Sequence, residues 1–600
     1  MSKRHVHYLR PAGSTQLPRH HLVLDVETKG QLRNGTYEQS WRLACVQRFN
    51  GHLQRGWKMR ERKTYRVPME LWVDVNGWVR PDERLVIWCH NLAYDLRVSA
   101  GLAYLPALGF ELEAIALDHV ASWARFTRDG ETILLVDLCS WLPAPLSKIA
   151  EDLGMRQVPR PRDTDSDDAF MRRCERDVEI TTAAVLECLS LVEDHDLGPW
   201  RPTGSGQSHS AWRRRWMTHR LLVHDDLKLL SMERAGSWTG RCEAWRHGTY
   251  TDGPYYEYDL DLAYCQIAAD SEIPCVLAGP ASTTDLPRLA EAFKTHAVLA
   301  RVTVETEYPL VPTLLDDRIL WPVGRFDTTL WDPELSMLID AGANVAVHEA
   351  WLYRKAPGLR AVAEWIIGHL QLGPGELSPV QLRVLKHWAR ALVGRCAMRY
   401  RSWELWGWDD ADDVQMGLME EWETHQIFET MQVGQQIRRL GEQVESPESL
   451  PQVPGWIMAE CRRRLWTLVQ AAGTDTVYYM DTDSIIVDQL GASGIERERK
   501  AGRLPPLHTK GRYQSLDILG PRMLTVDETR RMAGIPLQAR LDENGVLAGE
   551  VFTSLQQSLM RHQISTVEVL TRTYTAESAD RRRDHLDDGH TRPISISTAS

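Results

Sequence analysis

Apolar and polar positions alternate and cluster along this chain in patterns that predict both strands and helices. Short apolar, β-branched runs predict strands, the last of them a hairpin, at 21–28, 84–95, 132–137, 255–259, 296–306 and 477–487. Longer segments with capping residues or terminal glycines predict helices at 146–154, 168–191, 378–394 and 452–473. Because both types recur throughout the sequence, we expect an α/β (α+β) fold.

Length and composition are those of an ordinary soluble protein with several domains. The 600 residues would build about three to five domains. The 10 cysteines form no Cys-x-x-Cys pair, which argues against a zinc site or a disulfide framework and for reduced thiols. The sequence shows neither a signal-peptide core nor an apolar run of about 18 residues. We therefore expect a cytoplasmic protein with no membrane partner.

The net charge of −12 is unusual for a protein that binds nucleic acid. Residues 1–67 nevertheless carry a large excess of Lys and Arg. Carboxylates that hold metal ions would also add negative charge at the place where a nucleic acid is processed. Because local potential rather than net charge governs binding to a phosphate backbone, the composition does not exclude a nucleic-acid function.

Two carboxylates lie at the tip of the hairpin predicted at 477–487. Asp481 and Asp483 occupy the turn between two apolar strands. Neither can be buried unpaired without a counter-charge, and Mg²⁺ suits hard oxygen ligands. A bare Asp-x-Asp is more often a solvated acidic turn, so a catalytic interpretation depends on partner motifs upstream.

Four further acids lie on N-terminal elements. Asp25 and Glu27 are two residues apart on one predicted strand and therefore share a face. Asp95 ends the second strand, and Asp177 lies on the helix predicted at 168–191. These carboxylates could converge on two metal ions about 3.5–4 Å apart. An Asp-x-Glu pair by itself is more often an ordinary surface pair.

The helix predicted at 378–394 carries a basic stripe. Its members recur at spacings of three and four residues, so they share one face: Arg383, Lys386, His387 and Arg390. Such a stripe is usually a solvated face. One aimed at acidic residues would instead bind a triphosphate.

These motifs and their order resemble those of family B DNA polymerases. Tyr479-x-Asp-Thr-Asp-Ser484 resembles the metal-binding hairpin of that family, and the N-terminal acids resemble its DEDD-type 3′–5′ exonuclease domain. The resemblance implies four catalytic metal ligands in the nuclease: Asp25, Glu27, Asp95 and Asp177. It also implies that Thr28 and Asn91 contact the 3′ end of single-stranded DNA.

The nuclease region departs from the family pattern at two places. Arg173 stands where the family has a tyrosine four residues before the last aspartate. A lysine of the protein-primed class is expected near 155–160, where only Arg156 and Arg160 are basic. Since all four acidic ligands are retained, we expect an active nuclease whose rate could be low.

A second aspartate motif resembles the family's Asp-x-x-Ser-Leu-Tyr-Pro. Asp259 and Tyr264 are retained, whereas residues 262, 263 and 265 differ from the pattern. The resemblance implies that Asp259 and Asp483 hold two Mg²⁺ ions, for which Mn²⁺ could substitute. It also implies Leu260 as a contact to metal and nucleotide, a lesser catalytic role for Asp481, and Tyr264 as the residue that excludes a ribose 2′-hydroxyl.

Three looser matches concern substrate contacts. Lys386 is implied as the phosphate clamp, with Arg383 as second choice, because the family's fingers pattern keeps only its lysine and final glycine here. Gly240 and Arg241 lie where the family has a Tyr-x-Gly-Gly loop that follows the template. Arg522 would replace the lysine of a Lys-x-Tyr motif that grips the primer strand.

The resemblance divides the chain into a nuclease and the parts of a right hand. An RNase H-like 3′–5′ exonuclease domain would span 1–195. The remaining parts are the first part of the palm (196–370, with a terminal-protein-type insertion about 275–375), fingers (371–398), the second part of the palm (399–505, with an insertion or hairpin about 400–452) and thumb (506–579, helical over 550–575). Mixed charge and Ser/Thr predict a disordered tail at 580–600.

The implied activity is that of a DNA-directed DNA polymerase, which adds dNTPs to primer–template DNA and proofreads. Chain length and motif spacing resemble the protein-primed phage and plasmid branch, so a terminal protein is a further expected partner. The alternative is a nucleic-acid-primed replicative or repair enzyme with weakened proofreading. A nuclease alone, or a DNA-binding scaffold, would have lost some of these carboxylates. We expect a monomer in the cytoplasm of a bacterial host.

Overall fold

The computed structural model of the protein describes residues 4–33, 36–52, 56–117, 122–541, 546–575 and 581–597. Helices and strands recur along the whole chain, so the expected α+β fold class is confirmed. Among these described residues, no helix combines the length and apolar character that crossing a membrane requires.

Residues 4–194 form an N-terminal unit, a mixed sheet with helices on both faces. Its elements are β1 (His7–Tyr8), β2 (His20–Arg33), β3 (Thr36–His52), β4 (Gly56–Tyr65), α1 (Pro68–Trp78), β5 (Arg84–Cys89), α2 (Leu92–Val98), α3 (Gly101–Ala107), β6 (Glu111–Leu117), β7 (Ser122–Arg128), β8 (Glu131–Asp137), α4 (Leu146–Asp152) and α5 (Asp167–Asp194). The strands β2, β5 and β8 pair in parallel. Their apolar runs are continuous because both faces are buried: Val23 and Val86 pack with α5, and Leu22 and Leu85 pack with α1 to α3.

The second strand of this unit is shorter than the sequence indicated. β5 ends at Cys89, and Asn91 adopts a left-handed backbone with φ 83° before α2 begins. Asn accepts this conformation more readily than most residues. Asp95 therefore lies on the first turn of a helix rather than on the end of a strand.

The middle of the chain contributes strands to several sheets. Its elements are α6 (Gly204–Ala211), β9 (Leu222–Val223), α7 (Leu227–Ala235), β10 (Cys242–Ala244), β11 (Gly248–Tyr250), β12 (Tyr255–Leu260), α8 (Ala263–Asp270), β13 (Ile273–Pro280), α9 (Leu286–Glu291), β14 (His296–Thr306), β15 (Thr313–Leu315), β16 (Arg318–Leu320), β17 (Val323–Trp331), α10 (Asp332–Asp340), β18 (Asn344–Ala356), α11 (Arg360–Leu372) and α12 (Pro379–Cys396). Helix α12 opens with a capping box between Ser378 and Gln381, which confirms the start that the sequence predicts.

The last third of the chain adds strands to several of these sheets and forms two separate hairpins. Its elements are β19 (Arg399–Tyr400), β20 (Trp403–Glu420), β21 (Ile427–Leu440), β22 (Val444–Glu445), α13 (Gln452–Ala472), β23 (Val477–Asp481), β24 (Ser484–Val487), α14 (Gln489–Lys500), β25 (Leu507–Tyr513), β26 (Leu516–Gly520), β27 (Met523–Val526), β28 (Thr529–Met532), β29 (Arg540–Leu541), β30 (Leu547–Phe552), α15 (Leu555–Leu559), β31 (Thr566–Tyr574), β32 (Arg583–His585), β33 (Thr591–Pro593) and β34 (Ser595–Ser597). The central sheet has the order β10-β23-β24-β12-β25. The hairpin predicted at 477–487 is thus confirmed as β23–β24.

Within residues 400–452, the structure forms a long hairpin from β20 and β21. One face of this hairpin packs into the apolar core of the N-terminal unit through Val414, Met416, Met431 and Val433. The acidic run at 409–412 is exposed. The hairpin is therefore attached to the N-terminal unit.

Two expectations for the C-terminal region are wrong. Residues 550–575, predicted helical, contain the strands β30 and β31 with only the short helix α15 between them. β31 pairs with β3, so these strands extend the N-terminal sheet. Of the predicted tail, residues 581–597 form three strands, and β34 pairs with β17. Local polarity failed here because these strands are stabilised by partners far away in sequence. Residues 580 and 598–600 lie outside the described residues.

Candidate active sites

Asp259 and Asp483 lie on neighbouring strands of the central sheet. The antiparallel pairing of β12 with β24 places Asp259 opposite Ser484. The Leu260 N–H donates to the Asp483 carbonyl at 2.8 Å. Both aspartates line the same cavity. The structure therefore brings together two carboxylates from distant parts of the sequence, as the sequence analysis requires.

The turn that carries Asp483 is backed by Gly240 and Arg241. Thr482 has φ 60°, and its N–H donates to the Arg241 carbonyl at 2.7 Å. A Cβ atom added at Gly240 would lie 2.7 Å from the Thr482 side chain, so this close approach requires glycine. The Arg241 side chain is buried against Glu243. The guanidinium is therefore buried in this conformation, and the expected contact of residue 241 with DNA stays a prediction.

A cavity of about 880 Å³ opens above these carboxylates, and we call it the cleft. Its basic side chains come from three segments of the chain. Lys386 and Arg390 project from α12, Lys510 from β25, and Arg522 and Arg531 from the loop and strand beyond β26. Cations therefore face the aspartates across an open space, an arrangement suited to a polyanionic substrate.

The charges in the cleft are unevenly compensated. Burial, together with the neighbouring Asp259 carboxylate, raises the pKa of Asp483 to about 6, although Lys510 and Arg390 oppose this shift. The Lys510 Nζ lies 3.0 Å from an Asp259 oxygen and 3.2 Å from a Glu257 oxygen. Asp259 thus has a cation in direct contact, whereas the negative charge of Asp483 is only partly compensated by neighbouring cations.

The residues proposed from sequence to contact a nucleotide separate into two groups. Leu260, Tyr264 and Lys386 line the cleft. Arg383 does not, and its Nε lies 2.5 Å from an Asp152 oxygen on α4 of the N-terminal unit. Arg383 lies about one turn before Lys386 on α12, where the helix lies against α4 and not against the cleft. The second choice for the phosphate clamp is therefore not placed at the cleft.

Three basic residues that the structure places in the cleft had no role predicted from the sequence: Arg390, Lys510 and Arg531. Arg390 was visible only as one member of the stripe, although it follows the exposed Lys386 by four residues on α12. Lys510 was visible as part of Lys510-Gly-Arg-Tyr513. What the sequence did not reveal is that β25 pairs with β12, which carries Lys510 to Asp259.

A second acidic site lies in the N-terminal unit. Oxygen atoms of Asp25, Glu27 and Asp177 all lie within 4.8 Å of one another. Burial raises the pKa of Glu27 to about 7, although Arg173 opposes the shift. Burial, with Glu27 and Asp177 nearby, also raises the pKa of Asp25 well above its usual value. The strand pair Asp25 and Glu27 therefore meets the helix residue Asp177, as the sequence predicts.

Asp95 lies beside this triad, and the four residues together form what we call the acid cluster. Asp95 is 3% exposed. Burial, followed by the charges of Asp25 and Asp137, raises its pKa well above the usual range. Asp137, which the sequence analysis did not assign, also accepts a hydrogen bond from the Asn91 N–H at 3.1 Å.

Both oxygens of Asp177 already accept hydrogen bonds from protein groups. Arg173 Nε donates to Oδ2 at 2.5 Å, and Gln157 Nε2 donates to Oδ1 at 3.0 Å. Arg173 is also held by the Val158 carbonyl. A cation bound by Asp177 would therefore share this carboxylate with a guanidinium, which is the structural consequence of Arg173 at the position where a tyrosine was expected.

The two residues expected to contact single-stranded DNA lie next to the acid cluster but differ in exposure. Thr28 is buried, with its hydroxyl 2.9 Å from that of Tyr94. Asn91 is exposed at the start of α2. Asn91 is thus accessible to a ligand in this conformation, whereas the Thr28 hydroxyl is already hydrogen-bonded to that of Tyr94.

The residues of both sites fit divalent cations. Each site offers only carboxylate oxygens, the hard donors that Mg²⁺ and Mn²⁺ prefer. Each also holds buried carboxylates whose pKa is raised, Glu27 to about 7 and Asp483 to about 6. Since the protein's own cations leave these charges incompletely neutralised, a bound cation would stabilise the ionised forms.

No protein-family model and no curated protein matches the sequence. Among solved structures, Phi29 DNA polymerase in complex with primer–template DNA and incoming nucleotides matches 94% of this chain and 100% of its own, with 14% identity and a TM-score of 0.65. Phi29 DNA polymerase with single-stranded DNA matches 93% and 100%, with 14% identity and a TM-score of 0.66. Its orthorhombic crystal form matches 96% and 99%, with 13% identity and a TM-score of 0.61. The chain therefore has the fold of Phi29 DNA polymerase.

Proposed function

We propose that this chain is a DNA-directed DNA polymerase of family B that joins a dNTP to a 3′-hydroxyl in the cleft. The observation that carries the proposal is the juxtaposition of Asp259 and Asp483 on paired strands opposite Lys386 and Arg390 on α12. The fold is that of a polymerase whose structure contains primer–template DNA and incoming nucleotides, which supports the same substrates here.

The cleft residues would divide the work of nucleotide addition. Asp259 and Asp483 would hold two Mg²⁺ ions, with Leu260 beside them. When bound, such ions supply charge neutralisation and activation of the attacking hydroxyl. Lys386 and Arg390 are exposed on one face of α12 and would bind the triphosphate, offsetting the charge that grows on the leaving group. Tyr264 is partly buried at the wall of the cleft and would limit the space beside the sugar.

We also propose a 3′–5′ exonuclease at the acid cluster. Its support is the convergence of Asp25, Glu27 and Asp177 within 4.8 Å, with Asp95 buried next to them. Two divalent cations held by these carboxylates would suit hydrolysis of a phosphodiester. Because Arg173 already engages Asp177, we expect proofreading to be slower than nucleotide addition.

For initiation we propose a protein primer supplied by a phage or another mobile element, with a nucleic-acid primer as the alternative. The support is the chain length and the order of motifs in the sequence. Incubation with linear duplex DNA, with and without a candidate terminal protein, separates the two: a dNMP linked to that protein supports protein priming. Extension of an oligonucleotide primer with no dNMP linked to that protein supports the alternative. We place the enzyme as a monomer in the host cytoplasm.

Primer extension tests the main proposal. Purified protein, an end-labelled primer annealed to a longer template, dNTPs and Mg²⁺ should give elongated product. Chelation of Mg²⁺ should stop elongation, and renewed Mg²⁺ or added Mn²⁺ should restore it. If the protein binds the primer–template but adds no nucleotide with either cation, the polymerase proposal is refuted.

A further inference from the structure

Residues 581–597, which we call the C-terminal strap, fold back behind the turn that carries Asp483. The hairpin of β32 and β33 is fixed to the chain next to β10: the His247 N–H donates to the Gly589 carbonyl at 2.7 Å, and the Thr591 N–H donates to the Trp245 carbonyl at 3.1 Å. Beyond it, β34 pairs in parallel with β17. The strap therefore joins the central sheet to a second sheet, which has the order β13-β18-β14-β17-β34.

One residue of the strap enters a buried ionic group behind the active site. Arg583 Nη1 donates to Glu243 Oε1 at 3.1 Å, and Arg241 Nε donates to Glu243 Oε2 at 2.6 Å. The exposed fractions are 4% for Arg583, 1% for Glu243 and 3% for Arg241. Two cations thus share one anion out of contact with water, an arrangement that persists only with well-formed hydrogen bonds.

Neighbouring groups fix the Arg583 side chain in this group. Its Nε donates to Thr591 Oγ1 at 2.8 Å, and the Thr591 hydroxyl in turn donates to the Ala244 carbonyl at 3.0 Å. The Arg583 guanidinium also lies 4.9 Å from the centre of the Trp245 ring. Since Thr591 bonds both Arg583 and β10, the strap and β10 are held as one unit.

The strand that receives Arg583 also determines where the catalytic turn lies. In the pairing of β10 with β23, Glu243 stands opposite Met480 and Cys242 opposite Asp481. The next contact is the hydrogen bond from the Thr482 N–H to the Arg241 carbonyl. A continuous series of bonded groups therefore runs from Arg583 through β10 to the turn between Asp481 and Asp483.

We propose that Arg583 is a positioning residue for nucleotide addition, which acts through Glu243 and β10 on the turn that holds Asp483. The inference rests on the proposed polymerase function. Without Arg583, Glu243 Oε1 loses this donor while the carboxylate stays buried, so β10 must shift or admit water. A shift of about 1 Å in a catalytic group costs on the order of 10²-fold in rate.

The test compares four variants of the full-length chain. Arg583→Ala removes the contact. Arg583→Lys restores the charge but not the two-pronged donation to Glu243 and Thr591, and Thr591→Val removes only the supporting hydroxyl. Arg592→Ala is the matched control, because Arg592 is an exposed residue of the same hairpin. The measurements are kcat and KM for dNTP, primer–template affinity, melting temperature, and 3′–5′ degradation at the acid cluster.

We expect Arg583→Ala to lower kcat for nucleotide addition by roughly 10²-fold, with KM for dNTP, primer–template affinity and 3′–5′ degradation within about threefold of the parent. Arg583→Lys and Thr591→Val should fall between this variant and the parent, and Arg592→Ala should match the parent. The split between kcat and KM and the graded recovery distinguish positioning from a general loss of stability.

Two results would overturn the inference while the polymerase proposal stands. One is an active parent with an equally active Arg583→Ala variant. The other is a decrease of kcat, DNA affinity, melting temperature and 3′–5′ degradation together in Arg583→Ala, Arg583→Lys and Thr591→Val. This result would show that Arg583 contributes to stability alone. A parent that adds no nucleotide would refute the polymerase proposal itself, and this inference with it.

Discussion

The acid cluster and the cleft are both built from buried carboxylates, but they obtain positive charge in different ways. In the acid cluster, four acids from a mixed sheet and two helices lie close to Arg173, which belongs to the same helix as Asp177. In the cleft, the aspartate pair faces basic side chains from three separate segments. In the acid cluster, the nearby cation is thus in direct contact with a carboxylate. In the cleft, most of the cations lie around an open volume.

This difference indicates which substrate each site suits. An open ring of cations around two aspartates can receive a triphosphate, whose several charges need several partners. A closed group of acids beside the Arg173 guanidinium can hold metal ions and a single phosphodiester, but it offers few partners to the adjacent charges of a triphosphate. The two proposed phosphate chemistries would therefore depend on the placement of cations more than on the carboxylates.

The largest effect is expected from Asp483→Asn. This variant removes a charge from the cleft while keeping the shape of the side chain, so nucleotide addition should fall by more than about 10³-fold. Primer extension measures this loss, and 3′–5′ degradation of single-stranded DNA serves as the control because the acid cluster is untouched. Loss of both activities together would show that the two sites are not independent.

The reciprocal double variant, Asp25→Ala with Glu27→Ala, should abolish 3′–5′ degradation and spare nucleotide addition. The acid cluster loses two of the three carboxylates that lie within 4.8 Å of one another, so cations could no longer be held there. The measurement is the decay of an end-labelled single strand in Mg²⁺. Equal degradation by the variant and the parent would remove the assignment of a nuclease site.

A smaller effect is expected from Lys386→Ala, with Arg383→Ala as its matched control on the same helix. Lys386 lines the cleft, so its loss should raise KM for dNTP by roughly 10–100-fold, as expected for a charged contact to phosphate. Arg383 pairs with Asp152 instead, and its loss should change KM by less than about threefold. Single-nucleotide kinetics measure both, and the reverse order would contradict the placement of α12.

The smallest effect concerns Arg173→Ala. Removal of this guanidinium frees Asp177 Oδ2 to bind a cation and takes one positive charge away from the acid cluster. The acid cluster should therefore bind Mn²⁺ roughly tenfold more tightly. Calorimetric titration of a protein that also carries Asp483→Asn isolates this site from the cleft. Arg172→Ala, which alters an exposed neighbour on α5, is the control. Unchanged or weaker Mn²⁺ binding would show that Arg173 does not compete with the metal.

Much of the local structure followed from the sequence. The strand at 296–306 and the helix from 452 were predicted close to their observed bounds, because burial on a fixed period is written into consecutive residues. The pairing of Asp259 with Asp483 was also expected, through the resemblance of two motifs. In contrast, the end of β5 at Cys89 depends on the left-handed backbone of Asn91, which no apolar pattern reveals.

Errors concentrated where an element is stabilised by distant partners. Residues 566–574 were predicted helical but form β31, because β3 offers an edge for pairing. Arg583 lies in a polar, charged segment that was predicted to be disordered. It is nevertheless buried, because Glu243 and Thr591 accept hydrogen bonds from its guanidinium. Arg383 and Lys386 both belong to the basic stripe of α12. Only the structure shows that Arg383 pairs with Asp152 on α4, whereas Lys386 lines the cleft.

By itself, the sequence determined which residues carry charge, where the strongly patterned helices and strands lie, and which acids occupy motif positions. The tertiary structure alone decided that Lys510 forms an ion pair with Asp259 and that Arg173 forms one with Asp177. It also decided that the C-terminal strap lies behind the turn that carries Asp483. The physical reason is that periodicity and propensity are properties of neighbouring residues, whereas the partner of a strand or an ion depends on which elements pack together.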